Sequence, residues 1–160
     1  MSKNAIINYP EELKDRILNY YKKMYQGVGL KDYEERAVSR LSEDKSDQTR
    51  CDRIEKMLSL KMEDFENHLI VGTGTGGLVV ALKNKGVQEV FGCDPNGEAI
   101  SISKKKAGLV GINADNIKIG VAENIPFKDS TMNMVHCYTV LEHVQNIEKA
   151  IVEMYRVLKP

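Results

Sequence analysis

Apolar and polar positions follow two rhythms along this chain, and the change falls near residue 67. Upstream the period is helical and the background is charged. Pro10 suits a first helical position, and Leu13, Ile17, Tyr20, Tyr21 and Met24 then fall on one face. Gln26-Gly27-Val28-Gly29 breaks that helix. Asp32 followed by Glu35 makes a capping-box-like start for a second helix carrying Tyr33, Ala37, Val38 and Leu41. Ser46 or Asp47 caps a third, with Ile54, Met57 and Leu58 inward. Residues 1–66 therefore read as an N-terminal helical cap.

Downstream, short apolar runs alternate with helical patterns, the signature of βαβ units. His68 to Val71 is a strand running into Gly72-Thr73-Gly74-Thr75-Gly76-Gly77, and a helix follows with Leu78, Ala81 and Leu82 on one face. Val87 to Cys93 is a second strand ending at Asp94, and Asn96 caps a helix through about Ala107. Asn116 to Val121 and Met132 to Tyr138 are the third and fourth strands, separated by the loop Ala122 to Phe127. Asn146 caps a last helix with Ala150, Ile151, Met154 and Leu158 inward. Right-handed crossovers then predict an α/β fold: a doubly wound, Rossmann-like parallel sheet of order 3-2-1-4, spanning residues 67–160.

The glycine loop carries the chemistry. Glycines let a backbone turn tightly and approach a ligand closely, and the helix that follows offers free N–H groups at its start. Asp94, at the end of the next strand, lies beside the mouth of that loop. A carboxylate there accepts hydrogen bonds from both hydroxyls of a ribose, which suggests an adenosine-containing ligand. The loop alone leaves the ligand open. Gly72, Gly74 and Gly77 satisfy the G-x-G-x-x-G of a dinucleotide site, here NAD, while Gly72, Gly74 and Gly76 satisfy G-x-G-x-G. A tight β–α turn without a ligand has the same residues.

Composition narrows the classes. Of 160 residues, 42% are hydrophobic and 29% charged, and 23 basic groups balance 23 acidic ones. That balance argues against disorder and against a phosphate-tracking surface, so no nucleic acid is expected as a partner. No apolar run approaches the roughly 20 residues of a membrane span, so no membrane insertion is expected. The first ten residues lack the apolar core of a signal peptide. Cys51, Cys93 and Cys137 are odd in number and far apart, which suits reduced thiols in a cytoplasmic protein better than disulfides or a metal site. Cys93 and Cys137 fit strand positions, and Lys104-Lys105-Lys106 reads as a solvated helix face.

Several stretches taken together resemble the class I S-adenosylmethionine-dependent methyltransferases of the methyltransferase-11, ubiquinone-biosynthesis-like subgroup. They are Val71 to Gly76, Gly92-Cys93-Asp94-Pro95, Ala122 to Phe127, Val140-Leu141-Glu142-His143-Val144 and Met154 to Pro160, in this order and spacing. The resemblance implies S-adenosyl-L-methionine as cofactor and methyl transfer to a small-molecule, lipid or sugar-like acceptor. It implies that Gly72, Thr73, Gly74, Thr75 and Gly76 wrap the methionine end, that Asp94 binds the ribose, and that Pro95 flanks the adenine. Ala122 and Glu123 would line the adenine edge. Tyr138 to His143 would form the floor next to the reactive methyl. Tyr20, Tyr21 and Tyr25 would roof the site.

Three positions depart from the family pattern, because Ile70, Val121 and Asn133 stand where an acid is usual. The first two acids usually orient the loop or the methionine ammonium and hold the adenine amino group. Their loss keeps a catalytically silent relative open beside the enzyme. If the acceptor must lose a proton, His143, Glu142 and His136 are the candidate bases, with His143 and Glu142 at the carboxyl end of a strand. The family normally continues with further strands beyond Leu158-Lys159-Pro160. The chain therefore reads as truncated, with an apolar edge at its fourth strand that a second copy or another partner would cover.

Overall fold

The computed structural model describes residues 8–160. Three helices precede the sheet: α1 (Glu11–Gly27), α2 (Tyr33–Ser39) and α3 (Glu43–Leu58). Then follow β1 (Asn67–Val71), α4 (Gly77–Asn84), β2 (Glu89–Asp94), α5 (Gly97–Leu109), β3 (Ile117–Ile119), β4 (Met134–Cys137) and α6 (Ile147–Val157). The sheet order is β3-β2-β1-β4, and every pairing is parallel. This is the 3-2-1-4 order expected from right-handed crossovers.

Burial explains why β1 is central. Its side chains alternate between two cores. Ile70 joins Leu78, Val79, Leu82 and Val90 on one face, while Leu69 and Val71 meet Ala122, Ile125, Met132, Ala150 and Val157 on the other. Leu78 to Leu82 are all buried, not only the three positions on the expected face, because α4 is enclosed between the sheet and α3. The turns that launch the helices match their residues. Asn96 accepts from the N–H groups of Glu98 and Ala99, and Asn146 from that of Lys149.

The helical cap departs from the expected pattern in detail. α3 starts at Glu43, ahead of Ser46 and Asp47, and Ser42 precedes it without a side-chain cap. Met57 and Leu58 are 72% and 55% exposed, and Cys51 with Ile54 forms the inward face instead. The reason is ionic. Lys85 at the end of α4 pairs with Asp52 and, at 2.6 Å, with Glu55, whose other oxygen accepts the Met62 N–H. These partners set the rotation of α3. Asp32 spends its carboxylate on Arg36 at 2.8 Å rather than on a backbone cap. In α6, Ile151 is half exposed, because Glu153 and Arg156 occupy inward positions and grip the loop before β4.

A third core joins the cap to the sheet layer, where Tyr9, Leu13, Ile17, Tyr21, Tyr25 and Ala37 pack with Ile102 of α5. Here Lys106 corrects the reading of a solvated lysine run. It is fully buried, 3.2 Å from the Asp44 carboxylate, with its ammonium 4.9 Å from the Tyr9 ring centre. The cap covers this face of α5, so the charge stays inside only because it is paired there. Among the described residues no helix is long and apolar enough to cross a membrane.

Candidate functional site

The site forms where β1 and β2 end. The N–H groups of Gly72 and Thr73 both donate to the carbonyl of Cys93, at 2.8 and 2.9 Å, which pins the glycine loop to β2. Gly72 holds φ +73, and a Cβ there would lie 2.2 Å from Val140 Cγ2. No other residue fits both that backbone and that space. Gly74 has φ +52 and open space where its Cβ would stand, so it is the bare floor of a cradle. Asp94 spans the mouth of the loop. One carboxylate oxygen accepts the Gly74 N–H and the other the Asn96 N–H, each at 2.9 Å. Two of about four lone-pair positions are thereby used, and the others suit a pair of vicinal hydroxyls.

Two clefts open on either side of this loop. The cap-side cleft, about 480 Å³, is floored by Gly72 to Thr75 with Ile70, Tyr138 and Thr139, and roofed from α1 to α3 by Tyr21, Tyr25 and three arginines. Tyr21 Oη lies 3.1 Å from Thr75 Oγ1 and ties the roof to the loop. The second cleft, about 580 Å³, is lined by Pro95, Val121, Ala122, Glu123, Val140, His143 and Val144, among others. Its apolar walls suit a flat base. Glu123 is held below the usual carboxylate range by its own backbone N–H and by those of Gln145 and Asn146. It is therefore a fixed acceptor at that rim.

The expected residues separate accordingly. Gly72, Thr73, Gly74, Thr75 and Tyr138 meet in the cap-side cleft, and Pro95, Ala122, Glu123 and His143 in the other, with Asp94 at the loop between. Gly76 precedes α4 at φ +85 and packs on Ser103 instead of facing either cleft. Glu142 lines neither cleft, and His143 stands on the base side, away from Tyr138. Tyr21 and Tyr25 roof the cleft as expected, whereas Tyr20 does not line it. His136 is structural: its Nε2 lies 2.9 Å from Nδ1 of His68, which is itself fully buried.

Sequence reasoning missed Arg36, Arg40 and Arg50, and it gave the backbone of Thr139, within the expected Tyr138 to His143 floor, no special geometry. Thr139 holds φ +51, which costs a β-branched residue on the order of 1–3 kcal/mol. Local patterns carry no signal for it, nor for contacts such as Tyr21–Thr75 that join residues 54 positions apart. Burial raises the thiols of Cys51 and Cys93 to about 12, so neither is a nucleophile here. Among the described residues no cluster of three or more His, Cys, Asp or Glu is placed to hold a metal ion.

A parallel sheet of this order, a glycine loop after β1 and an acid after β2 define a Rossmann-like cofactor-binding protein of the class I S-adenosylmethionine-dependent methyltransferase type. The chain belongs to the methyltransferase domain family, whose profile matches residues 69–160. It is 31% identical over 91 residues to an uncharacterised methyltransferase, YcgJ, of Bacillus subtilis, covering 57% of this chain and 36% of that protein. It is 30% identical over 95 residues to the ubiquinone/menaquinone biosynthesis C-methyltransferase UbiE of Geotalea daltonii, covering 58% and 40%. A norajmaline N-methyltransferase of Rauvolfia serpentina is 35% identical over 97 residues, covering 59% and 33%. The chain thus spans 33–40% of these relatives' own length. Among solved structures, one from Methanococcus maripaludis, described as an S-adenosylmethionine-dependent methyltransferase, superposes with a TM-score of 0.64. That match covers 97% of this chain and 64% of the other at 16% identity, a likeness of fold.

Proposed function

We propose that this chain binds S-adenosyl-L-methionine and takes part in transferring a methyl group to a small-molecule acceptor. The observation that carries the reading is the open floor at Gly74 with the Asp94 carboxylate across its mouth and a cleft on each side. In this reading Asp94 accepts the ribose hydroxyls. Pro95, Val121, Ala122, Val140 and His143 enclose the adenine, and Glu123 accepts at its edge. Gly72 to Thr75 pack against the amino-acid end. The cofactor, when bound, supplies a sulfonium methyl as the electrophile. The chain contributes alignment and dryness, because in-line displacement depends on holding two reactants in one geometry.

Tyr21, Tyr25 and Tyr138 exclude water from the cap-side cleft, where the acceptor enters. Tyr21 and Tyr25 of the cap thus enclose the acceptor, and the cofactor lies on the glycine loop and Asp94 of the sheet domain. His143 acts as a wall of the adenine pocket in this assignment, and Glu142 receives no role. The small-molecule acceptor is supported by relatives named as a norajmaline N-methyltransferase and a ubiquinone/menaquinone biosynthesis C-methyltransferase. Nothing among the relatives supports the NAD reading of the loop.

Calorimetric titration with S-adenosylhomocysteine, with NAD as control, tests the proposal. Binding of the first alone is expected, weakened at least tenfold in Asp94→Ala. Equal binding of NAD, or S-adenosylhomocysteine binding indifferent to Asp94→Ala, sinks it.

A further inference from the structure

The sequence contains six arginines and seventeen lysines. Three of those arginines, Arg36, Arg40 and Arg50, line the cap-side cleft, and no lysine does. One carboxylate, Asp47, lines it with them. A neutral chain has thus gathered half of its guanidinium groups over one cleft. The choice of arginine matters, since its planar fork matches the two oxygens of a carboxylate or phosphate and lysine's point charge does not.

The settings of Arg36 and Arg50 leave donors to use. Arg50 stacks its face 4.5 Å above the Tyr138 ring and bonds Asp47 through Nη1. Stacking occupies the face of a guanidinium and spares its N–H edge. Arg36 meets Asp32 through Nε at 2.8 Å. Each of these two engages one carboxylate through one nitrogen, while a guanidinium carries five N–H donors. Arg40 donates from Nε to Tyr25 Oη at 2.7 Å and lies 5.0 Å from the Tyr21 ring centre, which fixes its orientation toward the roof.

We infer that the acceptor carries an anionic group, a carboxylate or a phosphate, which docks on Arg36 and Arg50. This inference rests on the methyltransferase reading above. With the anion held at the roof, the rest of the acceptor points at Tyr138 and the glycine loop. Tyr21, Tyr25 and Tyr138 give it flat walls. The arginines then select the acceptor, and the loop holds the cofactor.

The test uses the whole chain and calorimetry at low ionic strength. S-adenosylhomocysteine and 5′-methylthioadenosine, which lacks the amino-acid end, are titrated first. Benzoate, phenyl phosphate and neutral benzamide are then titrated with S-adenosylhomocysteine saturating. The anions should bind at least tenfold more tightly than benzamide, and the stronger of the two identifies the anion class. Arg50→Gln and Arg36→Gln should each reduce that preference, with Arg50→Lys restoring part of it and circular dichroism showing native folding. Three results would overturn the inference: equal binding of benzamide, no anion binding by a chain that binds S-adenosylhomocysteine, or arginine variants that weaken S-adenosylhomocysteine alone. The last would assign the arginines to the cofactor's own carboxylate. Anion preference without S-adenosylhomocysteine binding would keep the anion site and refute the cofactor reading.

Discussion

Acid should destabilise this protein well above the pH at which carboxylates titrate, and the cause is one buried histidine pair. His68 Nε2 faces the Met62 carbonyl at 3.2 Å. A carbonyl only accepts, so that nitrogen carries the proton and Nδ1 of His68 accepts from Nε2 of His136 at 2.9 Å. Both rings are neutral in this arrangement, and protonating either buries a charge. Burial, then the neighbouring His68, pushes His136 down from 6.5 to about 3, and burial lowers His68 as well. The unfolded chain binds the proton first. Stability is therefore complete above about pH 6.5 and falls as the pH drops toward 3.

The linkage relation gives a loss of about 2 kcal/mol from His136 between pH 7 and pH 5, with His68 adding in the same direction. Carboxylates whose ordinary pKa is near 4.5 contribute only about 0.2 kcal/mol each over that interval. The histidines therefore dominate it. Urea unfolding followed by far-ultraviolet circular dichroism measures this, since the chain has no tryptophan. In His136→Phe the pH 7 to 5 loss should fall to roughly half or less of the wild-type value. A wild-type loss under about 0.5 kcal/mol, or an unchanged slope in His136→Phe, would refute the reasoning.

Other outcomes follow from the same geometry. Gly72→Ala should cost about 2 kcal/mol or more in thermal unfolding, because both its φ and Val140 oppose a Cβ. Gly74→Ala should cost only about 1 kcal/mol yet weaken S-adenosylhomocysteine at least tenfold, since its Cβ enters open cradle space. Arg156→Gln removes bonds to the carbonyls of Ile125 and Phe127, both 3.0 Å, and to Glu153, which holds the Ile125 N–H. Stability should drop by about 1–3 kcal/mol, and amide exchange at Ile125 should quicken at least tenfold. In native protein at mildly alkaline pH, half-buried Cys137 should be alkylated first, with Cys51 and Cys93 protected by burial and raised pKa; early labelling of Cys93 would contradict this.

What lay in the sequence itself was everything encoded by near neighbours. The short apolar run Leu69-Ile70-Val71, the glycines between a strand and a helix, and the caps at Asn96 and Asn146 each act within a few residues. They were enough for the strand order, the loop and Asp94. Identity of the class came from motifs spread over residues 67–160, because a cofactor constrains the backbone wherever it touches.

The tertiary structure alone decided what depends on distant partners. Lys106 looks solvated in its own helix and is buried because Asp44 and Tyr9 of the cap close over it. Met57 points outward because Lys85 draws Asp52 and Glu55 toward α4. His68 and His136 became one unit only when β1 and β4 paired. Three arginines spread over residues 36–50 face one cleft because α2 packs on α1 and the short turn at Arg40–Ser42 then carries the chain into α3. Side-chain charge is written residue by residue, but its partner, and therefore its state and its use, is chosen by packing.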